Sequence, residues 1–281
     1  MTDGVSSLSF SPVANHVVAT SWSGQVLCWE IQLSPTIQQG SPSVASIPKA
    51  AIQLDKPVLC SAWQPDGSTV FIGGCDNTAK MWNLATNQQQ QVAAHSEPVR
   101  HCLWVPQHNM LVTGSWDKTL KYWDLRSPNP VHTHQLPERC YGLSSSGNIM
   151  VAATAERHIQ IFNLANPQTP WKTEMSPLKF QTRCVACFPD AKGYLLGSVE
   201  GRVAVQYVDD PPPPAKGDSF TFKCHRSTTD IYAVNGISFH PRFGTFATCG
   251  SDGGYTFWDK DSKQRLKGFT CGSVPISLRR L

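Results

Sequence analysis

The sequence predicts an all-β fold in which one hairpin-based unit repeats along the chain. Residues 112–125 contain two runs of strand-forming residues around a polar turn at Asp117 and Lys118, and the second run ends in a Trp-Asp pair. Near-copies end at Trp82 and Trp258, each with an aspartate six residues before the tryptophan. Weaker versions end at Trp29, Phe162 and Tyr207.

The spacing of these units identifies the fold class. Successive units end roughly 40–50 residues apart, the period of four-stranded β-propeller blades with Trp-Asp signatures. We therefore expect one WD-repeat β-propeller domain over residues 1–281, with blade units at about 5–33, 55–85, 95–126, 138–165, 180–226 and 230–268. Residues 274–281 read as an incomplete seventh unit. A propeller protects its strand edges by closing its ring, so the sequence leaves ring closure open.

Several segments depart from the repeat. The turn of the first unit lacks a carboxylate, and residues 34–48 are predicted to form a polar surface loop. The fourth unit has Ala-Glu-Arg at 155–157 in place of the aspartate turn. Four prolines at 211–214 exclude a central strand and predict an exposed loop. The outer strands of the last two units are predicted at 220–225 and 263–267.

The third unit supplies the residues for a buried hydrogen-bonded network. We expect a structural tetrad of His95, Ser115, Asp117 and Trp123, in which the turn carboxylate, a hydroxyl, the upstream histidine and the strand-end indole bond to one another. A catalytic Ser-His-Asp arrangement would need an exposed nucleophile, whereas the repeat requires burial of this network. The interpretation is therefore structural, with no catalytic residues.

Composition narrows the class of protein further. No apolar run approaches the ~20 residues of a membrane helix, and the N-terminus has no signal-peptide pattern. Most of the ten cysteines fall in predicted strands as small apolar residues, which indicates a reducing compartment. Cys184 and Cys187 have the spacing of zinc ligands, but residues three apart in a strand face opposite ways, so no metal or cofactor is expected.

The positive charge is concentrated near the C-terminus. Residues 1–191 carry 12 Lys and Arg against 12 Asp and Glu, whereas residues 192–281 carry 12 against 8. Alternation predicts that Lys263, Arg265 and Lys267 share one face of an outer strand. A groove between the fifth and sixth units could combine Arg202, Lys263 and Arg265 with Phe222 and Trp258. Stacking plus positive charge suits single-stranded nucleic acid or an acidic peptide; alternatively, the lysines only block edge pairing.

Stretches outside the Trp-Asp signature carry a family resemblance. They include Gln-Leu-Pro-Glu-Arg-Cys-Tyr at 135–141, Gly-Ser-Val-Glu-Gly-Arg-Val at 197–203, Phe-Thr-Phe-Lys-Cys-His-Arg at 220–226 and Ile-Tyr-Ala-Val-Asn-Gly at 231–236. Together with residues 114–124 they closely resemble the WD-repeat mRNA export factors of the nuclear pore, over roughly residues 5–268. The resemblance ends from Gly268 onward, where only 275–276 fit, which reads as a truncated or altered-frame C-terminus.

The resemblance implies a seven-bladed, non-catalytic propeller. Such a protein would bind the GLEBS segment of an FG nucleoporin and single-stranded RNA, support mRNA export, and act with mitotic checkpoint kinases at the spindle. It would reside in the nucleus, at the nuclear envelope and pore, and in the cytoplasm, without membrane insertion. The same resemblance implies a peptide and RNA groove formed by Arg202, Phe222, Trp258, Lys263 and Arg265.

Two other function classes remain at this point. A WD-repeat adaptor of the checkpoint or ubiquitin-ligase type would bind protein motifs and no RNA. An enzyme would need a cluster of titratable residues beside a nucleophile or metal, whereas the nine histidines are scattered over the repeats.

Overall fold

The computed structural model describes residues 1–38, 41–208 and 219–271. These residues form 24 β-strands and no α-helix, with one 3-10 turn at Ala155–Arg157. The strands make six four-stranded antiparallel sheets, each containing four strands in chain order. The predicted all-β, WD-repeat propeller class is confirmed, whereas residues 274–281 and the proline run at 211–214 lie outside the described part.

The first three sheets take up the N-terminal half of the chain. The first contains β1 (Val5–Phe10), β2 (His16–Ser21), β3 (Gln25–Gln38) and β4 (Ser41–Gln53). The second contains β5 (Val58–Trp63), β6 (Thr69–Gly74), β7 (Thr78–Asn83) and β8 (Gln89–Ala94). The third contains β9 (Val99–Val105), β10 (Met110–Ser115), β11 (Thr119–Trp123) and β12 (His132–Gln135).

The last three sheets follow the same plan. The fourth contains β13 (Cys140–Ser146), β14 (Ile149–Thr154), β15 (His158–Asn163) and β16 (Lys172–Met175). The fifth contains β17 (Thr182–Cys187), β18 (Gly193–Ser198), β19 (Arg202–Tyr207) and β20 (Phe220–Lys223). The sixth contains β21 (Val234–Phe239), β22 (Thr245–Gly250), β23 (Gly254–Asp259) and β24 (Gln264–Thr270).

The chain divides into two compact units. The first comprises Met1–Thr113 and Trp123–Pro130, and the second comprises Gly114–Tyr122 and Val131–Leu281. In the first unit, Val18 and Val26 of the first sheet pack in one apolar cluster with Trp63 and Trp82 of the second sheet. Burying such side chains contributes about 1.5–3 kcal/mol each.

The second unit holds two further apolar clusters. One joins the fourth and fifth sheets through residues such as Ile161 and Tyr194. The other joins the fifth and sixth sheets, where Val203 and Val205 meet Phe239 and Phe246. The side chains of these strands therefore alternate between two buried faces, which explains their nearly continuous apolar sequence.

Four predicted units end earlier than the sheets do. The outer strands β4, β8, β12 and β16 extend beyond the bounds predicted at 33, 85, 126 and 165. The predicted loop at 34–48 is wrong, because β3 and β4 pair as far as Gln38 and Ser41. Pro48 is tolerated because an outer strand leaves one edge unpaired.

The Trp-Asp hairpins turn in the same way in three sheets. Asp76, Asp117 and Asp252 each accept the backbone N–H two residues later, at 3.1, 3.0 and 3.0 Å. The residue after each aspartate has positive φ, between 64° and 71°. In the fourth sheet Glu156 and Arg157 take up positive φ instead, within the 3-10 turn. The aspartate thus closes a strained turn by satisfying a free backbone donor.

Candidate functional site

The third sheet assigns the tetrad hydroxyl to a residue that the sequence prediction missed. Thr113 Oγ1 accepts a hydrogen bond from Trp123 Nε1 at 2.8 Å and lies 2.7 Å from His95 Nε2. Ser115, the predicted hydroxyl, instead accepts the backbone N–H of Asp117 at 3.1 Å. The hydroxyl between the histidine and the tryptophan is therefore Thr113, and Ser115 stabilises the turn.

The sixth sheet contains a complete version of this network. His225 Nδ1 lies 2.9 Å from Asp252 Oδ1, His225 Nε2 lies 2.9 Å from Thr248 Oγ1, and Trp258 Nε1 donates to the same oxygen at 2.9 Å. With the imidazole proton on Nδ1, that nitrogen donates to the carboxylate and Nε2 accepts the Thr248 hydroxyl proton, while the hydroxyl oxygen accepts from the indole. Thr248 is fully buried. This Asp-His-Thr series therefore has no accessible nucleophile and serves the fold.

Two of the predicted groove residues are in direct contact. The ring centroids of Phe222 on β20 and Trp258 on β23 lie 4.6 Å apart, and the angle between the ring planes is 47°. Both are half-buried against the cluster between the fifth and sixth sheets, and Phe220 extends the aromatic area at 6.2 Å from Phe222. The outer strand of the fifth sheet and the third strand of the sixth thus form a continuous aromatic surface. The hydrogen bond from Trp258 to the buried Thr248 fixes this surface to the blade interior.

Two cations border this aromatic pair. Arg265 is paired with Trp258 across the β23–β24 ladder, so both side chains leave the sheet on one face. Lys263 Nζ lies 5.1 Å from the centroid of the Phe220 ring, within cation–π range. Both cationic residues are exposed. Phe220, Phe222, Trp258, Lys263 and Arg265 are called the Phe222–Trp258 surface below.

The prediction that Lys267 shares this face is wrong. Phe257 pairs with Lys267 and Trp258 with Arg265, so Leu266 is the extra residue of a β-bulge. A bulge reverses the alternation of side chains beyond it. Lys267 therefore lies on the opposite face, where its Nζ is 5.0 Å from the centroid of Phe269.

Arg202 is also separated from the aromatic pair. In the β19–β20 ladder Arg202 is opposite Lys223, and Val203 is opposite Phe222. Since neighbouring residues of a strand point to opposite faces, the Arg202 and Phe222 side chains leave the fifth sheet on different sides. Arg202 Nε lies 3.6 Å from a carboxylate oxygen of Glu200. Four of the five predicted groove residues therefore lie around the same aromatic surface, and Arg202 does not.

The turn after Trp258 is anchored by a buried lysine. Lys260 Nζ donates to Asp261 at 2.5 Å and lies 5.3 Å from the centroid of the Phe188 ring, and Phe188 directly follows β17. Burial favours a lower pKa for Lys260, but its hydrogen bond to Asp261 raises the pKa overall. A hydrogen bond from the Ser262 hydroxyl, followed by the Asp261 backbone N–H, lowers the pKa of Asp259. The turn that precedes Arg265 is therefore charged and internally paired.

The Cys-Val-Ala-Cys stretch does not form a ligand pair. Cys184 Sγ contacts the Val234 carbonyl oxygen at 3.6 Å, whereas Cys187 Sγ contacts the Ser144 carbonyl oxygen at 3.3 Å. The two thiols thus face different neighbouring sheets. All ten cysteines are free, and Cys75 follows the end of β6. No group of three His, Cys, Asp or Glu side chains in the described ranges could hold a metal ion.

The sequence contained signals for two residues that the prediction missed, Thr113 and Phe220. Thr113 precedes Trp123 by ten positions, and Thr248 precedes Trp258 by ten. In the second sheet the equivalent position is Ile72, and Trp82 Nε1 donates instead to Asn87 Oδ1 at 2.9 Å. Phe220 could have been identified from its place two residues before Phe222, on the same face of a strand.

Comparison with known proteins gives a consistent result. The family model for the WD domain, G-beta repeat, matches residues 2–30, 52–83, 86–124 and 218–259. Protein RAE1 of Arabidopsis thaliana is 58% identical over 275 residues, covering 98% of this chain and 76% of the relative. The mRNA export factor of Xenopus tropicalis is 49% identical over 98% of this chain and 76% of its own length. Protein Rae1 of Drosophila melanogaster is 48% identical, with 94% and 77% covered. Within the described ranges, no helix has the length and apolarity needed to span a membrane.

Proposed function

Because the chain belongs to the Rae1 family of WD-repeat mRNA export factors, we propose that it is a non-catalytic binding scaffold for the export of messenger RNA. We propose that it works in the nucleus and at the pores of the nuclear envelope, and is also present in the cytoplasm. A further role with mitotic checkpoint kinases at the spindle is part of this proposal.

The contact between Phe222 and Trp258 carries the RNA part of the proposal. Single-stranded nucleic acid is bound without sequence readout by aromatic side chains that stack on bases and cations that follow the phosphates. The Phe222–Trp258 surface combines a half-buried aromatic pair with the exposed Lys263 and Arg265. Lys263 lies over the Phe220 ring and Arg265 is paired with Trp258 across the ladder. This arrangement supports a site for a short single strand.

The same chemistry supports a nucleoporin segment as a protein ligand. A GLEBS-type peptide with apolar and acidic side chains would bury the former on Phe222 and Trp258. Its carboxylates would meet Lys263 and Arg265, which chiefly increases the association rate and the specificity. We propose this segment of an FG nucleoporin as the second partner.

The test is a pair of titrations on the purified chain. Fluorescence anisotropy of a labelled 15-nucleotide oligouridine and of a labelled GLEBS peptide is followed as protein is added. Binding of each ligand, weakened at least tenfold by Arg265→Glu, is expected. Lys179→Glu is the matched control, because Lys179 is an exposed cation before β17, outside the Phe222–Trp258 surface.

The outcomes separate the function classes. Absence of RNA binding by a folded sample, with peptide binding retained, would favour a WD-repeat adaptor that binds protein motifs only. If neither ligand binds the folded protein, the scaffold proposal fails. Equal effects of Arg265→Glu and Lys179→Glu would show general electrostatic attraction and would remove the Phe222–Trp258 surface from the proposal.

A further inference from the structure

Gly268 lies directly beneath the side chain of Arg265. A methyl group added to the Cα of Gly268 would be 2.2 Å from Arg265 Nη2 and 3.2 Å from Cζ. The guanidinium therefore occupies the volume that any side chain at position 268 would need. Only a residue without a Cβ permits this close approach.

The ladder explains how the two residues meet. Arg265 is opposite Trp258, and Gly268 is opposite Thr256. Because Leu266 is the bulged residue, Arg265 and Gly268 share a face although they are three positions apart. The Arg265 side chain runs along β24 towards the C-terminus, from the Trp258 row to the Thr256 row. It is folded onto the sheet rather than extended into solvent.

Backbone conformation does not require the glycine. Among the glycines that the structure describes, six have positive φ, and Gly268 is not one of them. Position 268 lies in a regular part of β24, where alanine can adopt the same backbone. The atom that an alanine would meet first belongs to the flexible end of Arg265. The feature that depends on Gly268 is therefore the placement of the guanidinium.

We propose that Gly268 is a positioning residue that lets the Arg265 guanidinium lie folded over the Thr256–Gly268 row of the sheet, next to the row of Trp258, ready to bind single-stranded RNA. The proposal rests on the proposed function of the Phe222–Trp258 surface. A flat guanidinium offers its face for base stacking and its N–H edge to phosphate. Holding it in place before binding removes the entropy cost of ordering a long side chain when RNA arrives.

The test is a double-mutant cycle with Gly268→Ala and Arg265→Ala, using the 15-nucleotide oligouridine. Gly268→Ala is expected to weaken binding roughly three- to tenfold, the cost of ordering one long side chain. In the Arg265→Ala background the same change should have no further effect. Gly4→Ala is the control, since a methyl group there would make only an ordinary 3.7 Å contact with Trp22.

A second measurement works without RNA. Relaxation of the ¹⁵Nε–H group of Arg265 should show an ordered side chain in the free wild-type protein and a mobile one in Gly268→Ala. The melting temperature of Gly268→Ala should equal or slightly exceed that of the wild type, because alanine has a higher strand propensity than glycine.

These results test the positioning role of Gly268 separately from the proposed RNA-binding function. If wild type binds no RNA but Arg265 is ordered only with Gly268, the proposed function fails and the positioning role stands. Equal mobility of Arg265 in both proteins would overturn the positioning role. An equal loss of RNA affinity in both backgrounds, or no loss in either, would also overturn it.

Discussion

Trp258 Nε1 donates a hydrogen bond to Thr248 Oγ1 at 2.9 Å, so one tryptophan belongs both to the blade interior and to the exposed aromatic pair. Its nitrogen is fixed to the second strand of its sheet while its ring contacts Phe222 of the preceding blade. The interior network and the Phe222–Trp258 surface are therefore mechanically connected.

Removal of the Thr248 hydroxyl should destabilise the protein. Thr248→Val leaves the buried donor of Trp258 and the imidazole of His225 without this partner, which costs about 1–3 kcal/mol in the free energy of unfolding. Urea unfolding followed by fluorescence measures the change. Thr221→Val is the control, since Thr221 is exposed on an outer strand. Equal midpoints for the two variants would contradict a supporting role of the network.

Truncation of the strand-end indole should have a larger effect. Trp123 is 3% exposed and packs in a cluster with Trp104 and Leu111, so Trp123→Ala is expected to cost about 3–5 kcal/mol through lost contacts and a cavity. Trp22→Ala is the matched control, because Trp22 is 47% exposed. A melting temperature for Trp123→Ala as high as that of Trp22→Ala would refute the prediction.

Stability should fall in acid in part through Asp76. Burial favours a raised pKa for this carboxyl, but hydrogen bonds from Lys80 Nζ, at 2.6 Å, and from the Thr78 backbone N–H lower the pKa overall from its ordinary value. A carboxyl with a lower pKa in the folded state stabilises the fold above its unfolded pKa. That contribution is lost as the pH falls through the folded pKa.

The measurement compares wild type with Asp76→Asn from pH 7 to pH 3. The difference in unfolding free energy should be constant near neutrality and shrink once the pH falls below about 4. Asp55→Asn, at an exposed position, is the control. A difference that stays the same across the whole range would show that the charge of Asp76 contributes nothing.

RNA affinity should depend on salt through the cations of the Phe222–Trp258 surface. Each phosphate contact on a single strand contributes about −0.7 to the slope of log affinity against log salt. Replacing Lys263 and Arg265 with glutamine should therefore make the slope about 1.4 less steep. The pair Lys179→Gln and Lys192→Gln removes the same charge elsewhere. An identical slope for both double variants would contradict phosphate contacts at Lys263 and Arg265.

Contacts that follow from residue spacing along one strand could be predicted from the sequence, whereas contacts that depend on pairing between strands could not. The contact between Phe222 and Trp258 could be predicted from the repeat, because the outer strand of the fifth unit and the third strand of the sixth border the same groove between adjacent units. The separation of Arg265 from Lys267 did not, because strict alternation cannot reveal that Leu266 is a bulged residue. Arg202 was misplaced for a related reason: its face depends on the pairing register with Lys223.

By itself the sequence determined the all-β blade repeat, the tryptophans at the ends of the third strands of the second, third and sixth sheets, and the aspartates of the same three turns. These are local features with fixed spacing, so they can be identified without coordinates. Only the tertiary structure decided that Thr113 and Thr248 supply the buried hydroxyls, that β3 and β4 form a long hairpin, and that Gly268 lies under Arg265. Those outcomes depend on which side chains meet across strands, and spacing along one strand does not specify its partner's register.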